Sequence, residues 1–171
     1  MKKITCFLIL LSSFLVFSQK KGKTFPNSFL GKYKGNLEIT SKRGTQKIPM
    51  EFHLTKTEKD SVFNYVIVYD KSPRNYSLKI VDQEKGIYNI DENNGIILPA
   101  SFYKDVLYSF FEVQGNFLST RLAFDSNKME FEILFTRLEN KTTTGGISKE
   151  IPEVFGYPIS VFQKAILVKT D

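Results

Sequence analysis

The stretch "YSFFEVQGNFLSTRLAFDSNKMEFEILFTR", residues 108–137, decides how this chain folds. Apolar and polar residues alternate along it with the period of a half-buried strand, and its two polar breaks, QGN and DSNK, hold residue types that take tight turns. With two-residue turns at Gly115–Asn116 and Ser126–Asn127, Val113 faces Leu118, Phe111 faces Thr120, Leu122 faces Phe131 and Phe124 faces Met129. Both hairpins then place one apolar set, running from Phe111 and Val113 through Leu122 and Phe131 to Ile133 and Phe135, on the same face. A slip of one residue would bring Glu130 and Glu132 among them, and buried charges without partners are too costly. The opposite face holds Glu112, Arg121 and Glu132, with Arg121 opposite Glu132 and diagonal to Glu112, which reads as a solvated charge cluster.

The same alternation extends in both directions. Strands are expected near 30–40, 47–57, 62–70, 75–82, 86–91, 95–99, 105–114, 117–125 and 128–137, with a tenth over 158–168. The breaks between them, such as KRGT, KSPRN and DENNG, are too short for crossover helices. The expectation is an all-β fold, a single antiparallel up-and-down barrel of about 8–10 strands. The barrel meander covers 29–137, a polar linker covers 138–157, and 158–171 returns as a C-terminal strand that packs on the barrel.

Residues 1–18 read differently. Lys2 and Lys3 precede an apolar run from Phe7 to Phe17, with Val16 and Ser18 at the small-residue positions, the layout of a signal peptide cleaved after Ser18. The run is too short for a membrane span, which needs ~20 residues. The expected product is secreted or periplasmic, with a flexible basic N-terminus over 19–28 and no stable membrane insertion. The chain has a formal net charge of +6, and the two signal lysines account for part of it. The body is then close to neutral, without the basic stripe that nucleic acid requires. The one cysteine, Cys6, leaves with the signal, so no disulfide supports the fold and sixteen Phe and eight Tyr must fill the core.

Chemistry is sparse. His53 is the only histidine, and in KIPMEFHLT it points outward with Glu51, out of phase with Met50, Phe52 and Leu54. Zinc sites need three or four ligands and a nucleophilic triad needs a histidine in a cleft. DENNG has its glycine at the wrong place for a calcium loop, and no glycine-rich phosphate loop occurs. The expectation is no catalytic residue, no metal, no cofactor and no enzyme activity. NYS at 75–77 and NKT at 140–142 fit the glycosylation sequon incidentally.

In the first strand, FLGKYKGNLEI, Tyr33 shares its phase with Leu37 and Ile39, and Arg137 ends the inward phase of the strand at 128–137. This resembles the calycin superfamily, the lipocalin and fatty-acid-binding barrels, in which a Gly-x-Trp on the first strand and an Arg on the last close one end. Gly31-Lys32-Tyr33 and Arg137 match those positions, with Tyr in place of Trp. A second stretch, RNYSLKIVDQEKGIYNIDENNGI before YSFFEVQGN, resembles an uncharacterised family of secreted bacterial proteins. The calycin resemblance implies that Gly31, Tyr33 and Arg137 plug the barrel, the guanidinium resting on the ring for ~0.5–2 kcal/mol.

A small apolar ligand would then enter at the other rim, formed by the hairpins TSKRGTQ, YDKSPRN and VQGNF. The candidate ligand-binding residues are Thr120, Phe111 and Phe131 inside, with Arg74 at the rim as first contact for an acidic head group. The alternative is a structural or interaction module. The strand at 62–70 is apolar on both faces, and its outer face is expected either to lie under the C-terminal segment, the preferred reading, or to meet a protein partner.

Overall fold

The computed structural model describes residues 23–170. The expected signal peptide, its cleavage site and Cys6 lie outside the described residues. Nine strands form an antiparallel meander: β1 (Gly31–Ser41), β2 (Gly44–Lys56), β3 (Val62–Tyr69), β4 (Ser72–Asp82), β5 (Ile87–Asp91), β6 (Ile97–Tyr103), β7 (Val106–Val113), β8 (Asn116–Phe124) and β9 (Lys128–Arg137). Two short strands, β10 (Thr142–Thr144) and β11 (Val154–Gly156), pair as a separate hairpin, and β12 (Val161–Lys169) returns to the main sheet. There β12 lies between β9 and β1, antiparallel to both, and the result is a closed ten-stranded barrel. The fold is all-β and up-and-down, consistent with a calycin-like barrel.

Closure by a tenth strand follows from counting directions. In a meander, odd-numbered strands run one way, so β1 and β9 are parallel and cannot close on each other in an antiparallel ladder. One more strand between them restores alternation and removes both edges. Its register is tight at Gly35, where a Cβ would lie 2.4 Å from the backbone oxygen of Ile166. Only glycine allows β1 and β12 to approach that closely.

The strand at 62–70 is therefore not covered by the C-terminal segment, which contradicts the preferred expectation. Two positions around the barrel separate β3 from β12, and the outward Val62, Val66 and Val68 remain partly exposed. The apolar character of "ISVFQKAILVK" serves closure: Ala165 and Leu167 are buried, while Ile166 and Val168 face out.

Turn chemistry sets the hairpins. Asp70–Lys71, Lys104–Asp105 and Gln114–Gly115 each have positive φ at both central residues, the backbone that matches strand twist in a two-residue turn. The β7–β8 turn is thus Gln114–Gly115 and not Gly115–Asn116. Phe111 faces Leu118 and Ser109 faces Thr120, a shift of two residues that leaves the inward set on its face. The β8–β9 pairing is as expected, with Leu122 opposite Phe131 and Phe124 opposite Met129.

Residues 24–28, expected to belong to a flexible basic segment, plug the barrel together with Phe29. Phe25 and Phe29 are 2% and 1% exposed, and the ring of Phe25 stacks on Phe102 at 4.1 Å. The backbone oxygen of Phe25 accepts from Gln83 Nε2 at 2.6 Å and from Tyr88 Oη at 3.1 Å, while Tyr33 Oη donates to Phe29 O at 2.7 Å. Two aromatic side chains outweigh the lysines beside them because burying a Phe is worth about 1.5–3 kcal/mol. The linker over 138–157 is also more ordered in form than expected, since it contains the β10–β11 hairpin.

Candidate ligand cavity

The two ends of the barrel are unlike. Around Tyr33 the lumen is closed by Phe25, Phe29, Phe52 and Phe124, whose ring centres lie 4.1–6.4 Å from one another or from neighbouring rings. Tyr33 is fully buried, and Lys169 Nζ rests 5.9 Å from its ring centre. Gly31 opens β1 at this end, opposite Leu54.

Arg137 is not there. The start of β1 and the end of β9 mark opposite rims because the two strands run in the same direction. The Arg137 side chain is 62% exposed and pairs with Glu139 at 3.0 Å, beside a shallow cleft that also takes in Lys42 and Arg43. A cation does lie over Tyr33, but it comes from β12, the strand that closes the barrel.

Towards the rim of the β1–β2, β3–β4 and β7–β8 turns the lumen widens into a cavity of about 330 Å³. Side chains from eight strands line it. Ile67, Ile90, Leu98, Leu122 and Ile133 make its apolar wall, and Thr120, Phe111 and Phe131 all stand on its surface, on the side where the inward phase of β7, β8 and β9 places them. Arg74 lines it too, although not from a loop. The turn ends at Lys71, β4 begins at Ser72, and Arg74 faces Ile67 across the ladder, which puts its side chain in the inward phase at the mouth. Its guanidinium lies 5.9 Å from the centre of the Tyr69 ring.

Six polar members of the wall were not among the expected site residues: Tyr65 and Tyr69 on β3, Tyr76 on β4, Ser109 on β7, Gln163 on β12 and Glu92 beyond β5. Tyr65 and Tyr69 share the inward phase of β3, so their alternation was the available signal. Gln163 had none, because its position depends on where β12 inserts. Burial pushes the Tyr65 phenol well above its ordinary value, with Tyr69 and Tyr76 adding to the effect. Burial also raises Tyr69, to about 12, against the opposing pull of Arg74. Both rings are therefore neutral hydrogen-bond donors at physiological pH.

The other expected features lie outside the cavity. Arg121 faces Glu132 as expected, and bonds it at 2.8 Å, but its further partner is Glu130 and not Glu112, which the shifted turn sets opposite Phe117. Lys164 joins this cluster at 2.9 Å from Glu130 and 3.2 Å from Glu132. His53 points outward and contacts Glu51 at 2.8 Å, and Glu51 also pairs with Lys34 at 2.9 Å. These are solvated cross-strand networks on the outer surface.

No protein-family model and no curated protein matches the chain.

Proposed function

We propose that the protein is a secreted or periplasmic, lipocalin-like barrel that holds a small apolar or amphipathic molecule in its lumen and catalyses no reaction on it. One observation carries this reading: a chamber of about 330 Å³ inside a barrel that is packed shut at one end and open at the other. The volume falls at the small end of the ~300–1,000 Å³ typical of ligand sites. The wall also has their character, aliphatic and aromatic surface on which several polar groups converge. Phe111 and Phe131, bulky enough to fill a narrow lumen, instead stand on the chamber surface. Export rests on the two lysines and the apolar run that open the sequence.

The test is native mass spectrometry of gently purified protein, followed by titration with Nile red. The expected result is saturable uptake of one equivalent of dye, and Thr120→Trp, which fills the chamber, should weaken uptake about tenfold without lowering the unfolding midpoint. Dye fluorescence that never saturates, on protein that carries no bound species, would overturn the proposal.

A further inference from the structure

The β3–β4 wall of the cavity is built of phenols. Tyr65 and Tyr76 face each other across the ladder, their rings 6.5 Å apart and inclined by 23°, and Tyr69 follows four residues along β3, on the same face. Tyr65 is 3% exposed, and no hydrogen bond from its hydroxyl to any described residue is formed. Every fully enclosed side-chain oxygen or nitrogen among the described residues has a partner. The Tyr65 hydroxyl is therefore not fully enclosed, and the space its side chain lines is the cavity. An apolar ligand that filled the cavity without meeting this hydroxyl would strand it, so the wall favours a ligand that brings an acceptor to Tyr65.

Charge narrows the kind of acceptor. The cavity wall has two ionic side chains, Arg74 and Glu92, and they are of opposite sign. Arg74 is exposed at the mouth and engaged with the Tyr69 ring. The remaining polar groups, the three phenols, Thr120, Gln163 and Ser109, are all neutral. Ser109 is already committed, donating to Pro99 O at 2.6 Å. A carboxylate brought down to Tyr65 would lose its hydration while the cation of the wall, Arg74, is turned to the Tyr69 ring. A carbonyl oxygen needs only the donor that is there. We infer that the lumen selects an uncharged molecule carrying an acceptor oxygen, such as an ester, ketone or amide, on an apolar body, with Tyr65 as the donor and Tyr76 paired with it across the ladder. Burial holds the phenol in its protonated, donating form. The acidic head group expected at Arg74 is then not the recognised group.

This inference rests on the ligand-binding reading and deepens it. Displacement of Nile red by methyl decanoate and by decanoate at neutral pH compares the same apolar chain with and without charge. Methyl decanoate should displace the dye at about tenfold lower concentration, and Tyr65→Phe should remove most of its advantage while leaving dye uptake and the unfolding midpoint in place. Tyr76→Phe, at a less buried position, repeats the test should Tyr65→Phe lower stability. Displacement by decanoate at equal or lower concentration than the ester, or an ester affinity unchanged in both tyrosine variants, would overturn this inference alone. Failure of wild-type protein to take up the dye saturably would overturn it together with the proposed function.

Discussion

Lys169 Nζ lies 5.9 Å from the centre of the Tyr33 ring, at the end of the barrel opposite Arg137. The cation over Tyr33 thus comes from the closing strand, and the arginine at the end of β9 lies at the open rim. Lys169→Ala should cost about 0.5–1 kcal/mol, the worth of a partly solvated cation over a ring. Arg137→Ala should stay within about 0.5 kcal/mol, since an exposed ion pair contributes little. Tyr33→Phe, which deletes the bond to Phe29 O, should cost about 1–3 kcal/mol by stranding a buried acceptor. Urea denaturation of the three variants checks the order, and a larger loss for Arg137→Ala than for Lys169→Ala would contradict it.

Phe25 lies before the first strand but is as buried as the residues of the sheet. Its replacement by Ala removes a ring stacked on Phe102 and leaves a hole between the plug and the barrel. The expected loss is about 3–5 kcal/mol, at the level of a core phenylalanine. Thermal unfolding followed by circular dichroism measures it, and a change of under about 1 kcal/mol would mean that residues 24–29 do not plug the barrel in solution.

At Gly35 the constraint is backbone against backbone. Gly35→Ala sets a methyl group 2.4 Å from the Ile166 oxygen, and neither ladder strand can swing aside as a side chain can. The substitution should cost about 1–3 kcal/mol. Amide exchange should quicken at the β1–β12 ladder more than at β5–β6, and uniform quickening would point to global destabilisation alone.

Acid should weaken the outer networks first. Bonds from Lys164, and then from Arg121, hold the Glu130 carboxyl below its ordinary value of 4.5, and bonds from Lys34 and His53 do the same for Glu51. A depressed carboxyl binds fewer protons in the folded than in the unfolded chain, so its contribution is full above about 4.5 and is lost as pH falls towards the folded value. Urea midpoints should therefore decline below about pH 4.5, and Glu130→Gln should lower the neutral midpoint while flattening that decline. An equally steep decline in the variant would remove Glu130 from the account.

Much of the barrel is local in origin and could be read along the chain. Alternation placed nine strands of the meander to within a few residues, and it put Thr120, Phe111 and Phe131 on the inward face. Even the misplaced β7–β8 turn kept that face, because a shift of two residues preserves a period of two. The turn itself was misplaced because Gln114 adopts a positive φ, a conformation its residue type does not advertise. The partner of Arg121 changed with it, from Glu112 to Glu130.

The strand period and the inward apolar set of β7, β8 and β9 can be read from the chain alone, because each is decided between residues a few positions apart. Closure belongs to the assembled sheet. Whether Tyr33 meets Arg137 or Lys169 depends on how many strands run in each direction around the ring, which no segment encodes alone. The cavity is further still from the sequence. It is the space that side chains from eight strands leave unfilled, and whether the Tyr65 hydroxyl finds a partner there depends on all of them at once.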